Sequence, residues 1–334
     1  MARGIFFLNS SGIYFNKETL KKFISIVKDS HLTSFCFHFS NGGDIRLGLD
    51  DMIIKTSYGE YDLSVAVGKP DENGNRRYIN QSEMDELLDY AKSLGVEIIP
   101  SLDIPGHMKG ILKYFPELCF EGTSDSINIK DPKAVEFAYA FAQKYADYFA
   151  EKGCRCFGIG ADEFAQDLNN EMGFETIYTN GDMKYFVDFM NGIIEKLASK
   201  NLEVLAFNDG ICYADDTETY GKIDERLVVL YWSPGWGRRF ATPTFLEEQG
   251  YRVCNSYHRY YVDNNTVDFE EKRKIHENLD MYSMDGKTVK NPFGAMFCVW
   301  CIRDTKPEDY PEKLSPLIHA FGKAFKNQNN QNNN

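Results

Sequence analysis

Two adjacent carboxylic acids, Asp162 and Glu163, are the residues of this sequence best suited to chemistry. They follow an apolar segment at residues 154–159 and two small residues, a pattern that predicts a buried parallel strand ending at a pair of acids. Because neighbouring carboxylates repel each other when both are ionised, one of them tends to stay protonated. A proton donor beside a permanent anion is what cleavage of a glycosidic bond requires, although Asp-Glu pairs are also common in solvated surface loops.

Strand-like and helix-like segments alternate along the whole chain. The predicted strands cover residues 4–8, 33–39, 96–99, 154–159, 202–207, 227–231, 251–255 and 295–299. Helical patterns separate them, and two of these begin with caps, at Asn80 to Glu83 and at Asp131-Pro132. Repeated β-then-α units predict an α/β fold, a (β/α)8 TIM barrel forming a single domain over residues 1–326. An open doubly wound sheet is the alternative, but residues 9–12 lack its phosphate-binding glycine pattern.

In a (β/α)8 barrel the carboxyl ends of all strands open onto one mouth, where reactive groups belong. The three tryptophans of the chain all follow predicted strands at this face, and aromatic rings beside acids suit the apolar faces of a sugar. Asp162 and Glu163 are the candidate catalytic acids. The candidate binding residues at the strand ends are His38, Asp103, His107, Asn208, Trp232, Trp236, Tyr260, Tyr261, Asp263 and Trp300.

The composition restricts the class of partner. The chain has 334 residues, 43% hydrophobic and 26% charged, which is typical of a soluble globular domain. A net charge of −13 argues against nucleic acid or an anionic membrane as a partner, because phosphates would be repelled. No apolar run reaches the length of a membrane span, and the N-terminal residues leave no room for a signal peptide. We therefore expect a cytoplasmic protein, or a module excised from a longer exported chain.

The remaining features of the sequence concern metals and the C-terminus. Its eight cysteines lie in apolar segments without zinc-site spacing, which favours small buried thiols. Metal-dependent hydrolysis is a lesser alternative, because no strand carries a His-x-His pair, and we expect no cofactor. Residues 327–334 are rich in Asn and Gln and are predicted to be a disordered tail. The candidate metal ligands would be His38, Asp103, His107, Asp162 and Glu163.

Taken together, the motifs resemble glycoside hydrolase family 20, the β-N-acetylhexosaminidases, over nearly the whole chain. Residues 158–163, Gly-Ile-Gly-Ala-Asp-Glu, are similar to the family's Gly-x-Asp-Glu signature. Residues 103–107, Asp-Ile-Pro-Gly-His, are similar to its Asp-x-Pro-Gly-His motif. Residues 49–52, 207–210 and 231–236 look most similar to bacterial exo-β-N-acetylglucosaminidase modules of this family.

This resemblance implies a retaining enzyme that acts on N-acetylhexosamine-containing glycans. Glu163 would protonate the glycosidic oxygen and then act as a base toward water. The substrate's own 2-acetamido group would be the nucleophile and would form an oxazolinium intermediate, which Asp162 would orient and stabilise. Tyr260 or, preferably, Tyr261 would bind the acetamido carbonyl. The aromatic walls of the sugar site would be Trp232 and Trp300.

The sequence departs from the family pattern at three places. Gly12 stands where the family carries an arginine that grips the terminal sugar, and Ile302 stands where an acid is expected, which leaves Asp304 as its candidate substitute. The acid of the loop 41–44 is also shifted. Because a charge-assisted arginine contact is stronger than a neutral one, these departures affect sugar specificity more than the chemistry. Two alternatives follow: an enzyme for hexosamines substituted at the 3- or 4-hydroxyl, and a glycan-binding barrel with weak or no turnover.

Overall fold

The computed structural model describes residues 2–168, 173–302 and 304–331, and eight parallel strands form a closed barrel within them. Each strand pairs with the next, and the last pairs with the first to close the ring. The predicted (β/α)8 barrel is therefore confirmed, and the open-sheet alternative is wrong. In chain order the strands are β1 (Arg3–Asn9), β2 (Ser34–Ser40), β3 (Glu97–Leu102), β4 (Cys156–Gly158), β5 (Glu203–Phe207), β6 (Val228–Tyr231), β7 (Arg252–Asn255) and β8 (Gly294–Val299).

Helices surround the barrel in the alternating order that the sequence predicts. Both predicted caps are confirmed: Asn80 and Glu83 form a reciprocal capping box, and Asp131 caps the helix that begins at Pro132. Within the described part of the chain, no helix combines the length and the apolar character needed to cross a bilayer. The helices are α1 (Lys17–Asp29), α2 (Gln81–Ser93), α3 (Lys109–Leu112), α4 (Pro132–Glu151), α5 (Gly173–Thr179), α6 (Met183–Ala198), α7 (Pro243–Glu248), α8 (Phe269–Glu277) and α9 (Tyr310–Gln331).

The connections between barrel strands carry short elements of their own. Between β2 and α2, Leu47–Gly48 pairs with Ile79–Asn80, and Ile53–Thr56 forms a hairpin with Gly59–Asp62. A further small hairpin before β8 joins Ser283–Met284 to Lys287–Thr288. Short 3-10 helices occupy Leu63–Ala66, Pro116–Leu118, Gln166–Leu168, Tyr213–Asp215, His258–Tyr260 and Pro307–Asp309.

The core has two layers, one inside the barrel and one between the strands and the helices. Alternate residues of β1 show the division, since Ile5 and Phe7 pack inside the barrel while Phe6 and Leu8 face the helices. The eight cysteines are free thiols, five of them buried and three partly buried. Burial raises the pKa of the Cys36 thiol, so this group is held in its unreactive form. The prediction of packing thiols is confirmed.

The strand bounds differ from the predicted ones by up to three residues. The strand β4 covers only Cys156–Gly158 of the predicted 154–159, and the backbone turns left-handed at Gly160, two residues after its end. The helix α9 continues to Gln331, so residues 327–331 are helical where the sequence predicts disorder. Gln328 supports this extension, because its side chain accepts the Met281 N–H at 2.9 Å and donates to the Leu279 carbonyl. Residues 332–334 of the predicted tail lie outside the described residues.

Candidate active site

A cavity of about 280 Å³ opens at the carboxyl ends of the barrel strands. This volume lies just below the usual range for small-molecule sites, about 300–1,000 Å³, and suits one substituted sugar ring. Larger depressions on the opposite barrel face and on the insert after β2 contain neither predicted acid. The sequence predicts every lining residue except Asn41 and Phe207. The lining consists of Asn41, His107, Asp162, Glu163, Phe207, Trp232, Tyr261, Asp263 and Trp300.

The two acids project from a strained turn after β4. Gly160, Ala161 and Glu163 have φ angles of 62°, 63° and 47°, and this left-handed region costs a non-glycine residue about 1–3 kcal/mol. Gly160 must be glycine, because a Cβ atom there would lie 1.7 Å from Oδ1 of Asp103. Neighbouring residues of an extended strand point to opposite faces, so the turn is what allows Asp162 and Glu163 to line one cavity.

A histidine bridges the two acids. Nε2 of His107 lies 3.6 Å from Oδ2 of Asp162 and 3.4 Å from Oε2 of Glu163. Burial lowers the pKa of His107, but the hydrogen bonds to Asp162 and to Glu163 outweigh burial and raise this pKa well above its ordinary value. The raised pKa favours the imidazolium form of His107 between the two acids. A protonated His107 in this position would offset the predicted repulsion between the adjacent acids.

Two polar atoms of the cavity lining are buried and lack a hydrogen-bond partner of normal geometry among the described residues. One is Oδ1 of Asp162, which can only accept, and the other is the hydroxyl of Tyr261. Burial, followed by the neighbouring Cys298 thiol, raises the pKa of Tyr261 well above its ordinary value, so the hydroxyl keeps its proton and can donate. An acceptor and a donor at one cavity complement the N–H and C=O of a secondary amide.

Aromatic rings wall the cavity. The Trp232 ring lies parallel to the Tyr261 ring, with an interplanar angle of 5° and 6.2 Å between centroids. The Trp300 ring lies 5.8 Å from Tyr261 and 5.9 Å from Phe207. Phe207, at the end of β5, completes this aromatic surface. A phenylalanine at the end of a strand does not by itself indicate a binding role, so the sequence did not predict it. These flat apolar surfaces suit the C–H faces of a pyranose ring.

His38 and Asp103, predicted to bind substrate, lie behind the cavity lining. The His38 side chain is fully buried, with Nδ1 2.9 Å from Oγ of Ser101 and Nε2 3.3 Å from Oδ2 of Asp103. The Asn41 amide, which lines the cavity, donates to the same Asp103 oxygen. The two residues thus support a lining residue from below and do not border the cavity, because β2 and β3 direct them into the closed interior of the barrel.

Four other predicted binding residues also lie away from the cavity lining. Asn208 is buried, accepts the Trp232 N–H at 2.9 Å and donates to the Ser233 carbonyl at 2.9 Å. Tyr260 is buried against α9, because the 3-10 turn at His258–Tyr260 directs it away from the mouth. Trp236 is 60% exposed and packs edge-on against Trp232 outside the cavity. Asp304 is exposed and does not border the cavity.

Gly12, Asp44 and Ile302, which depart from the family pattern, are not among the residues that line the cavity. A Cβ atom at Gly12 would meet nothing within 4 Å. Asp44 pairs with Lys113 at 2.9 Å rather than lining the cavity. Ile302 is buried, and its backbone N–H is bound by the Tyr310 hydroxyl at 2.7 Å.

Three side chains could approach one metal ion. Single ligand atoms of Asp103, His107 and Asp162 all lie within 4.8 Å of one another. A carboxylate and imidazole set of this kind suits divalent transition metals. Metal ligation needs a deprotonated His107, whereas this ring lies 3.6 Å from the Asp162 carboxylate and 3.4 Å from the Glu163 carboxylate, within ion-pair distance of both.

A closed (β/α)8 barrel with paired acids and aromatic walls around a sugar-sized cavity is typical of glycoside hydrolases. Residues 3–300 match the family model described as glycosyl hydrolase family 20, catalytic domain. The chain belongs to this family, and the resemblance drawn from its motifs is confirmed.

Curated relatives support the family assignment at low identity. Lacto-N-biosidase of Bifidobacterium bifidum is 23% identical over 258 residues, covering 70% of this chain and 22% of the relative. Beta-hexosaminidase subunit B2 of Dictyostelium discoideum is 22% identical over 320 residues, covering 89% of this chain and 52% of the relative. The chain therefore spans only about a fifth and about half the length of these two relatives.

Solved structures show the same fold. A catalytic module of the pneumococcal exo-β-D-N-acetylglucosaminidase StrH superposes with a TM-score of 0.86 at 23% identity, over 97% of this chain and 83% of that one. Dispersin B superposes with a TM-score of 0.77 at 20% identity, over 98% of this chain and 100% of that one. The predicted similarity to bacterial exo-β-N-acetylglucosaminidase modules is confirmed at the level of fold.

Proposed function

We propose that the protein is a retaining β-N-acetylhexosaminidase that uses the 2-acetamido group of its substrate as the nucleophile. The observation that carries this proposal is the pair of buried atoms, Oδ1 of Asp162 and the hydroxyl of Tyr261, at one sugar-sized cavity. An acetamido N–H would donate to the carboxylate, and its carbonyl oxygen would accept from the phenol. The amide would thereby be held for attack on the anomeric carbon, which removes most of the entropic cost of that step.

The other lining groups have roles that follow from their positions. Glu163, with a side chain 24% exposed at the cavity, would protonate the leaving oxygen and later remove a proton from water. Asp162 would stabilise the positive charge that develops on the cyclised amide, and the His107 cation keeps the adjacent acids together. Trp232 and Trp300 would enclose the ring and exclude water.

Substrate assistance can be tested by weakening the nucleophile within the substrate. In a series of aryl hexosaminides with zero to three fluorines on the acetyl methyl group, the carbonyl oxygen becomes progressively less nucleophilic. We expect kcat to fall at each step, by at least about tenfold across the series, equivalent to about 1.4 kcal/mol of barrier. An enzyme that used its own carboxylate would show nearly constant rates. NMR of the first-formed anomer should show retention, and inversion would contradict the proposal.

The lack of the family's arginine at Gly12, and the pairing of Asp44 with Lys113 away from the cavity lining, support a preference for hexosamines that carry a substituent at the 3- or 4-hydroxyl. Without a charged side chain to bind those hydroxyls, an unsubstituted terminal sugar would bind little more tightly than a substituted one. We expect kcat/KM on a 3- or 4-substituted glycan to equal or exceed that on the unsubstituted hexosaminide with the same leaving group. A clear preference for the unsubstituted sugar would refute this specificity.

A further inference from the structure

A buried carboxylate connects the proposed proton donor to the aromatic wall. Asp209 follows β5 directly and is fully buried. Its Oδ2 accepts the backbone N–H of Glu163 at 3.1 Å, and its Oδ1 accepts the indole N–H of Trp232. Asp209 itself does not border the sugar-sized cavity. One side chain is thus hydrogen-bonded to two lining residues that come from different strands.

The backbone of Glu163 needs this support. Its φ of 47° places it in the left-handed region, outside the hydrogen-bonding pattern of β4. A buried N–H group without a partner costs about as much free energy as a lost hydrogen bond. The Asp209 side chain satisfies this N–H through Oδ2, at 3.1 Å. Asp209 thereby holds the strained turn from which the Glu163 side chain reaches the cavity.

The orientation of Trp232 depends on the same loop. Asn208 holds its backbone N–H at 2.9 Å, and Asp209 holds its indole N–H at the far end of the side chain. The ring is fixed at both ends and lies 5° from parallel with Tyr261. A sugar ring bound in the cavity would pack against Trp232, so the plane of the indole would set the height and tilt of the bond to be cleaved.

We propose that Asp209 is a positioning residue that sets the angle between the Glu163 proton donor and the sugar plane before substrate binds. This proposal rests on the proposed hexosaminidase function and names a residue beyond the paired acids. Both partners of Asp209 are N–H donors, so the site needs two acceptor oxygens. Asparagine offers only one acceptor, and its NH2 group would face an N–H in either orientation. Aspartate therefore suits this site better than asparagine, although burial, followed by the nearby Asp162 carboxylate, raises the pKa of Asp209 well above its ordinary value.

The Asp209→Asn variant tests the proposal through the leaving group of the substrate. A 2,4-dinitrophenyl hexosaminide needs little protonation to depart, whereas the unsubstituted phenyl hexosaminide depends on a well-placed acid. We expect Asp209→Asn to lose about 10²-fold in kcat/KM on the phenyl substrate, and no more than about a tenth of that loss on the dinitrophenyl substrate. The matched control is Asp215→Asn, an exposed acid of the same connection, which should change neither rate.

Each result bears on a separate claim. Wild-type protein that cleaves neither substrate refutes the hexosaminidase function, and the positioning role falls with it. Active wild type with an unchanged variant, or with equal losses on both substrates, overturns the positioning role alone. Trp232→Phe keeps the aromatic face but removes the indole donor, so it provides the same test if Asp209→Asn does not fold. We expect Trp232→Phe also to lose more kcat/KM on the phenyl substrate than on the dinitrophenyl substrate. The double variant, Asp209→Asn with Trp232→Phe, should lose no more kcat/KM than the more impaired of the two single variants.

Discussion

Replacing Glu163 with Gln should abolish most hydrolysis while leaving the sugar site intact. Glutamine occupies nearly the same volume at the cavity but cannot donate an acidic proton to the glycosidic oxygen. We expect kcat on a natural glycan to fall by about 10²–10⁴-fold, the usual contribution of general acid catalysis. The affinity for a thiazoline analogue of the cyclised intermediate, measured by calorimetry, should change little, because in the proposed mechanism Asp162 and Tyr261 would make the contacts to its ring.

This substitution also separates an enzyme from a glycan-binding barrel. The matched control is Glu121→Gln, an exposed acid outside the cavity, which should keep the wild-type rate. If wild type and Glu163→Gln both bind glycans with equal affinity and neither cleaves them, the barrel is a binding module. A variant that retained full activity would remove Glu163 from the reaction altogether.

The fold could be predicted from sequence because its signals are local. Strands buried on both faces appear as short apolar runs, and caps such as Asn80 and Asp131 fix where helices start. Because the carboxyl ends of all strands of a barrel open onto one mouth, the predicted topology also brings Trp232, Trp300 and the paired acids to that mouth. The helical conformation of residues 327–331 could not be predicted in this way, because Gln328 contacts residues 279–281, which are distant from it in sequence.

Side-chain direction within the mouth could not be predicted. A histidine near the end of β2 and one after β3 give similar sequence signals, yet His38 is buried behind the lining while His107 bridges the acids. The difference lies in the left-handed backbone of His107, with a φ of 52°, which no sequence periodicity reports. The same holds for Tyr260 and Tyr261, which a 3-10 turn sends to opposite sides.

Asn41, Phe207 and Asp209 illustrate a second limit. Asparagine and phenylalanine are common after strands, so their types alone do not indicate a site. The sequence indicates that Asp209 lies at the mouth, but its structural role is to accept N–H groups of Glu163 and Trp232, which follow two other strands. The closed barrel brings together the connections that follow β4, β5 and β6. The two hydrogen bonds made there by Asp209 then indicate its positioning role.

Replacing Asp162 with Asn should lower kcat by about 10²–10³-fold, comparable to removing a preorganised group that stabilises transition-state charge. The amide side chain can still accept the acetamido N–H, but it carries no negative charge to balance the oxazolinium. Affinity for the neutral hexosamine product should therefore change much less than kcat. Asp167→Asn, an exposed acid of the same connection, is the matched control and should keep the wild-type kcat.

The same variant has a second readout in the titration of His107. In the wild type this folded-state pKa is raised above the unfolded value of about 6.5, so the ion pairs stabilise the fold fully below that pH. Their contribution is lost as the pH rises through the folded-state pKa. Because Asp162 supplies the first hydrogen bond that raises this pKa, Asp162→Asn should move the imidazole titration, followed by NMR, to lower pH. An unchanged titration would show that the Asp162 carboxylate does not govern the charge of His107, and the electrostatic arrangement proposed for the acids would then be wrong.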